Sequence, residues 1–271
     1  GWKIEEQYRA AGKDKDAVPI LQFRAECREY ARHWMAVQET EFRRLGVLGD
    51  WAHRYATLDF PSEAAIVGEI GKFLLNGALY RGLRPVMWSP VEKTALAEAE
   101  IEYHDHTRQT VTVRFPVISS PVAGLDGASI VIWTTTPWTM PGNRAIAAGA
   151  EFDYAVVRLD STQEGSLAQA GEVVLVAMAL LPQFLETARV ATHHVLRLVK
   201  GADLAGTVCA HPLRGRGYDH DVPVFLADYV TTDAGTGFVH IAPGHGEEDF
   251  ALGREHGLEV PETVGEDGTF N

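Results

Sequence analysis

The sequence predicts an α+β protein, a helical first part followed by a β-rich domain of barrel or sandwich type. Three observations carry this. Apolar residues recur at three- and four-residue steps before residue 80, and the period shortens toward two from about residue 111. The charge shifts with the period: residues 1–112 hold 15 basic and 17 acidic side chains, and residues 113–271 hold 9 and 20. A boundary near residue 110 follows, giving a helical part, 1–110, and a β-rich part, 111–271.

Phe23, Cys27, Tyr30, Trp34, Val37, Phe42 and Leu45 line one face of an amphipathic helix stopped by Gly46, and read as a packing face. Gly46–Trp51 forms a compact loop. A second helix starts near Pro61, with Glu63 in its first turn. It continues through Ala65, Ile66, Glu69, Ile70, Phe73 and Leu74 and ends before Gly82. His104, Asp105 and His106 read as a polar turn. Strands are expected over 111–115, 129–133, 154–159, 173–176 and 237–241, punctuated by turns at 124–127, 141–143 and 233–235, with one helix near 180–188. Many short strands joined in this way suggest a barrel or sandwich.

Hydrophobic residues at 46% and charged residues at 23% are ordinary for a globular chain and exclude a disordered or fibrous one. No apolar run approaches the ~18 residues of a membrane span. Cys27 and Cys209 stand far apart and offer neither a disulfide framework nor a cysteine zinc cluster, so a reducing, cytoplasmic setting is expected. The net charge is −13, and the acidic second part argues against tight binding along a nucleic-acid backbone. Gripping one nucleotide at a chain end stays open. The chain opens at Gly1-Trp2-Lys3 and stops in a turn at Asp267–Asn271, and so reads as a segment of a longer protein.

Two segments carry candidate chemistry. Trp133-Thr134-Thr135-Thr136-Pro137-Trp138-Thr139 presents four hydroxyls at the end of an apolar strand, able to hold a ribose, a carboxylate or a water, although threonine also simply suits a strand. The run from Gly235 through His240 and His245 to Asp249 joins a Gly-rich turn, a strand and an acidic helix start. Asp249, a carboxylate with no neighbouring cation in sequence, could bind an amine, whereas Glu247 and Glu248 suit the helix dipole. His240, His245 and Asp249 are alternative metal ligands, but a five-residue His spacing in a loop matches no standard zinc pattern. Gly235-x-Gly237 lacks the third glycine of a dinucleotide loop. No phosphate-binding loop, H-E-x-x-H pair or G-x-S-x-G elbow occurs. On the residues alone the chain is a hydrolase or a binder with a Thr/His/Asp pocket.

These segments resemble the isoleucyl-tRNA synthetase family of class I aminoacyl-tRNA synthetases. Thr134–Thr139 is similar to the family's Thr-rich editing motif, where valyl and leucyl relatives carry Arg-Pro after two threonines. Gly235–His240 with Ala242–Gly246 and Asp249 is similar to its second editing motif, where valyl relatives have Lys in place of His240. Leu45-Gly46-Val47, Asp50-Trp51, Gly77–Leu83 and Ala95–Tyr103 resemble the catalytic-domain stretch before the editing insertion. The resemblance covers essentially the whole chain. It implies a helical piece of an interrupted Rossmann-type catalytic domain, followed by a β-barrel-like editing (CP1) domain truncated at its C-terminus.

The implied activity is post-transfer editing, the hydrolysis of Val-tRNA(Ile), with pre-transfer editing left open. By resemblance, Asp249 anchors the substrate ammonium, and His240 and Thr139 bound the side-chain pocket. Trp133, Thr134, Thr135 and Thr136 hold the terminal adenosine and the attacking water. The HIGH and KMSKS motifs are absent, so ATP and Mg belong to the whole enzyme and no cofactor is expected here. Ser89–Lys93 lacks the Cys pair of some relatives, so no zinc is expected. The implied partner is the valine-carrying 3′ end of tRNA(Ile), held weakly by a monomer without membrane contact. A non-catalytic tRNA 3′-end binding module and a metal-dependent hydrolase are the alternatives.

Overall fold

Capping and backbone stiffness account for the helices of the first unit. In a computed structural model describing residues 1–271, the chain divides into two units, Gly1–Gly82 and Leu83–Asn271. The first holds α1 (Trp2–Ala10), α2 (Ile20–Arg44) and α3 (Phe60–Leu75). Pro19 precedes α2, and Gly46 ends it at φ 81°, a conformation costly for other residues. Pro61 sits in the first turn of α3, where its missing N–H is no loss. The helix ends at Leu75, well before Gly82, with Gly77 just beyond it in the left-handed conformation at φ 80° that closes a helix end. The expected apolar face of α2 exists but is not covered: neither α2 nor α3 buries a residue, and Ile4 is the only buried residue of the unit. Polar and ring contacts tie the three helices together. Tyr8 packs on Phe23 at 6.2 Å, and Arg28 bonds the Leu58 carbonyl, pairs with Glu63 at 2.8 Å and lies over the Phe60 ring.

The second unit opens with little regular structure, a two-residue pairing of β1 (Trp88–Ser89) with β2 (Thr94–Ala95). The composition shift near 110 therefore marks where the large sheet begins, whereas the division into units falls at Gly82. The sheet comprises β3 (Val111–Ser119), β4 (Ser129–Thr134), β5 (Ala145–Ala148), β6 (Asp153–Thr162), β7 (Val173–Ala177), β8 (Val190–Lys200), β9 (Val208–Ala210), β10 (Asp221–Leu226) and β11 (Phe238–Ile241). Its order is β11-β5-β10-β9-β3-β4-β7-β6-β8, mostly antiparallel, with parallel pairs β10–β5 and β4–β7. Two helices complete the unit, α4 (Leu181–Thr187) and α5 (Glu247–Glu255).

The expected barrel is not closed. β11 and β8 are the two ends of the order and do not pair with each other. The sheet instead curls until β11 lies across β4, and at the end of β7 the Ala177 N–H donates to the carbonyl of Thr236, in the turn before β11, at 2.8 Å. Strands β5, β8, β9 and β10 escaped the sequence pattern. β5 is Ala-Ile-Ala-Ala, buried on both faces and without alternation, so its period carries no strand signal.

The main core lies inside the curl, with Phe115, Ile130, Ile132, Tyr154, Leu159, Leu175 and Phe238 buried. Tyr154 spans it with a satisfied hydroxyl, which accepts from Gly149 N–H at 3.0 Å and donates to the Gly237 carbonyl at 2.6 Å. A second cluster, Ala145, Ala147, Ile241 and Leu252, fills the space between β5, β11 and α5. This split sets the site. His240 pairs in register with Ile146, which faces the main core, and Ile241 pairs with Ala145, which faces α5. Period-two geometry therefore turns His240 into the curl.

Candidate functional site

Strand β4 ends at Thr134 and passes at once into a 3₁₀ turn, Pro137–Gly142, with Pro137 at its start. The turn feeds Asn143 and then β5, whose partner β11 carries His240. Three neighbouring segments thus converge on one hydrogen-bonded chain. Thr136 N–H donates to Thr134 Oγ1 at 3.1 Å, and the Thr134 and Thr136 hydroxyls are 3.2 Å apart. Thr139 donates its hydroxyl to the Thr136 carbonyl at 2.9 Å, which leaves Thr139 Oγ1 to accept at 2.7 Å from His240 Nε2.

The other imidazole nitrogen faces Asn143, a residue the sequence marked only as part of a turn. Asn143 Nδ2 lies 2.9 Å from the Ala145 carbonyl, 2.9 Å from His240 Nδ1 and 3.3 Å from the Ile241 carbonyl. The amide orientation is set by those carbonyls, since reversing it would turn Oδ1 onto them. His240 Nδ1 consequently accepts and Nε2 carries the proton. Burial pushes the ring's pKa down to about 4, and no acceptor waits for a second proton at Nδ1. His240 is neutral, with a defined tautomer. The signal for Asn143 in sequence is slight: one amide directly before a strand, where an unsatisfied backbone needs a donor.

Asp249 stands in the first turn of α5, apart from this chain of bonds. Its Oδ2 accepts from Ala242 N–H at 2.7 Å, two residues beyond His240. Burial, aided by the neighbouring Glu248 charge, raises its pKa to about 6 against the pull of that N–H. No cationic side chain pairs with it.

Thr135 is exposed, and Trp133 is half-buried, lying over Gly235 (φ 82°), where a Cβ would come 3.1 Å from the indole. The structure thus joins Thr134, Thr136, Thr139 and His240 directly and leaves Thr135, Trp133 and Asp249 at the margins. His245 goes elsewhere: it bonds Thr263 Oγ1 at 3.0 Å and meets the Trp138 ring edge-on at 5.1 Å. His240, His245 and Asp249 therefore do not form a ligand set, and no group of three His, Cys, Asp or Glu side chains is placed to hold a metal ion. That alternative is corrected by the geometry, since both His240 nitrogens are already engaged.

The family model for class I tRNA synthetases (I, L, M and V) matches residues 2–239. Isoleucine–tRNA ligase of Gluconobacter oxydans is 60% identical over 271 residues, covering 99% of this chain and 28% of that protein. The isoleucine–tRNA ligase of Caulobacter vibrioides is 51% identical over 276 residues, again covering 99% and 28%. The chain spans 28% of the length of these relatives. Among solved structures, GlLeuRS-CP1 aligns with a TM-score of 0.42 at 16% identity, covering 56% of this chain and 66% of that one. The Plasmodium falciparum cytosolic leucyl-tRNA synthetase editing domain aligns with a TM-score of 0.38 at 11% identity, covering 48% of each.

Proposed function

The chain belongs to the class I tRNA synthetases (I, L, M and V), and from that premise we propose that residues 111–271 hydrolyse valine from mischarged tRNA(Ile). The observation that carries the reading is a neutral His240, held at both ring nitrogens near the end of β11, with the half-buried Asp249 carboxylate, which no cation pairs, bonded to the Ala242 N–H just beyond that strand. Isoleucine and valine differ by one methylene, worth only ~1–3 kcal/mol in a binding pocket, a magnitude established on this very discrimination in this family. A second pocket that admits only the smaller side chain supplies the missing selectivity.

Each residue then has a task. The Asp249 carboxylate accepts hydrogen bonds from the substrate α-ammonium, which fixes the aminoacyl group. His240, braced by Thr139 and Asn143, limits the side chain that fits. Thr134, Thr135 and Thr136, with Trp133, hold the terminal adenosine and place the attacking water. Water adds to the ester carbonyl, hydrogen bonds bear the developing oxyanion, and collapse releases valine and the free ribose hydroxyl. No Ser/His/Asp triad is assembled here, so the acceleration comes from positioning and oxyanion stabilisation, with a ribose hydroxyl as a further participant. HIGH and KMSKS do not occur in the sequence, so no step here passes through ATP. The partner is the acylated 3′ end of tRNA(Ile).

Deacylation of Val-tRNA(Ile) by the chain, beside Ile-tRNA(Ile), tests the reading. Selective loss of valine supports it. Binding of the tRNA end by folded protein without hydrolysis rejects it in favour of a binding module.

A further inference from the structure

Two histidines outside the threonine chain bear on it from behind. Residues 211–220 join β9 to β10 and are braced internally. Arg214 N–H donates to the His211 carbonyl at 2.9 Å, and Gly215 N–H to the Asp219 carboxylate at 2.7 Å. Both histidines of this segment reach the turn that carries Thr139. His211, 1% exposed, donates from Nε2 to the Met140 carbonyl at 3.0 Å and accepts the Leu213 N–H on Nδ1 at 3.1 Å. Tyr218 stacks on its ring, and Phe115 meets it edge-on. His220 donates from Nε2 to the Asn143 carbonyl at 3.0 Å. A carbonyl only accepts, so both Nε2 atoms carry protons, and His211 with its bare Nδ1 is neutral. Burial favours the same form in both rings, which lie 5.0 Å apart beside Arg144 and Arg214.

Met140 follows Thr139 directly, and Asn143 is the residue that faces His240 Nδ1. The two held carbonyls therefore lie one just after Thr139 and the other on Asn143 itself, the two partners of His240. A six-residue 3₁₀ turn has poor internal hydrogen-bond geometry and here lacks a side-chain cap, so outside contacts set its place. We infer that His211 and His220 are positioning residues for the deacylation site, holding Met140 and Asn143 so that Thr139 and Asn143 keep His240 in one tautomer and one orientation. The inference rests on the editing reading of that site.

The test uses the 271-residue chain with His211→Ala, His211→Gln, His220→Ala and His220→Gln. Two measurements are made: kcat and KM for Val-tRNA(Ile) deacylation, and the imidazole nitrogen shifts of His240 by ¹⁵N NMR. Loss of its buried hydrogen bond predicts a fall in kcat on the order of tenfold for His211→Ala, and a smaller fall for His220→Ala, because the Asn143 carbonyl also accepts from Arg144 Nη1 at 2.8 Å; KM is little changed in both. Glutamine, whose Nε2 can still donate, restores most of it. His240 is expected to leave the pure Nε2–H pattern in the alanine variants. If His211→Ala does not fold, the half-buried His220 and the glutamine pair still decide. Wild-type rates in the His220 variants, or unchanged His240 shifts, overturn the inference. A wild-type chain that deacylates nothing overturns the editing reading instead, and the His240 shifts still judge the positioning role.

Discussion

At Asp249 a half-buried carboxylate has no cation beside it, and its pKa near 6 gives that cost a direction. The folded value lies above the ordinary 3.8, so the folded state holds the proton longer than the unfolded chain. Stability therefore falls as pH rises from about 4 to about 6 and is flat above. Asp249→Asn, which keeps an acceptor for Ala242 N–H, is expected to gain about 1–2 kcal/mol at pH 7 and to lose that pH slope in denaturant melts. The same variant removes the anchor for an ammonium group, so deacylation should drop at least a hundredfold. For the wild-type chain, kcat/KM should rise through pH 6 as Asp249 ionises; a profile flat from pH 5 to 7 counts against the anchor. His240, with its pKa near 4, adds no inflection in that range. His240→Ala should enlarge the pocket so that Ile-tRNA(Ile) is also cleaved, and an untouched isoleucyl ester rejects the size-limiting role. Because His240 has both nitrogens engaged and no three-ligand cluster exists, chelator treatment should leave the deacylation rate unchanged.

Among the elements, β11 is placed by its entry. Gly237 adopts φ 79°, and a Cβ there would sit 2.3 Å from the Ala177 side chain. Gly237→Ala therefore combines backbone strain with a clash and should destabilise the second unit by about 2–4 kcal/mol, read as a shift in the urea midpoint. Tyr154→Phe removes the hydroxyl that joins Gly149 to Gly237 and should cost about 1–2 kcal/mol. Much of this level is legible from sequence, because the β-branched and apolar runs over 111–115 and 154–159 and the capping glycines reflect local physics. The alanine-rich β5 is not legible, since burial on both faces erases the alternation that marks a strand. Asn143, His211 and His220 are equally hidden: each acts on a backbone carbonyl or ring brought near by folding, and no spacing along the chain announces that.

For the whole molecule, burial is one-sided. Residues 1–82 bury Ile4 alone, whereas the buried cores lie within 115–252. Helices without a buried face open readily, because most helical stability in proteins comes from packing of an apolar face. Native-state hydrogen exchange should show amides of α2 and α3 exchanging within seconds to minutes. Those of β4, β6 and β7 should exchange only through global opening. Equal protection of both units contradicts this account. No helix is long and apolar enough to cross a membrane.

The residue order settles a good deal here: two amphipathic helices, the onset of the sheet at Val111, and the residues Thr134–Thr139, His240 and Asp249 as candidates for chemistry. These are properties of neighbours in the chain, carried by period, capping and side-chain type. Folding settles the rest, because it depends on partners distant in sequence. The pairing of β11 with β5 sends His240 into the curl, the curl stops short of a closed barrel, and the β9–β10 connection sets two histidines against the turn. A hydrogen bond exists only where donor and acceptor meet within about 3 Å, and long-range strand register is what brings them there.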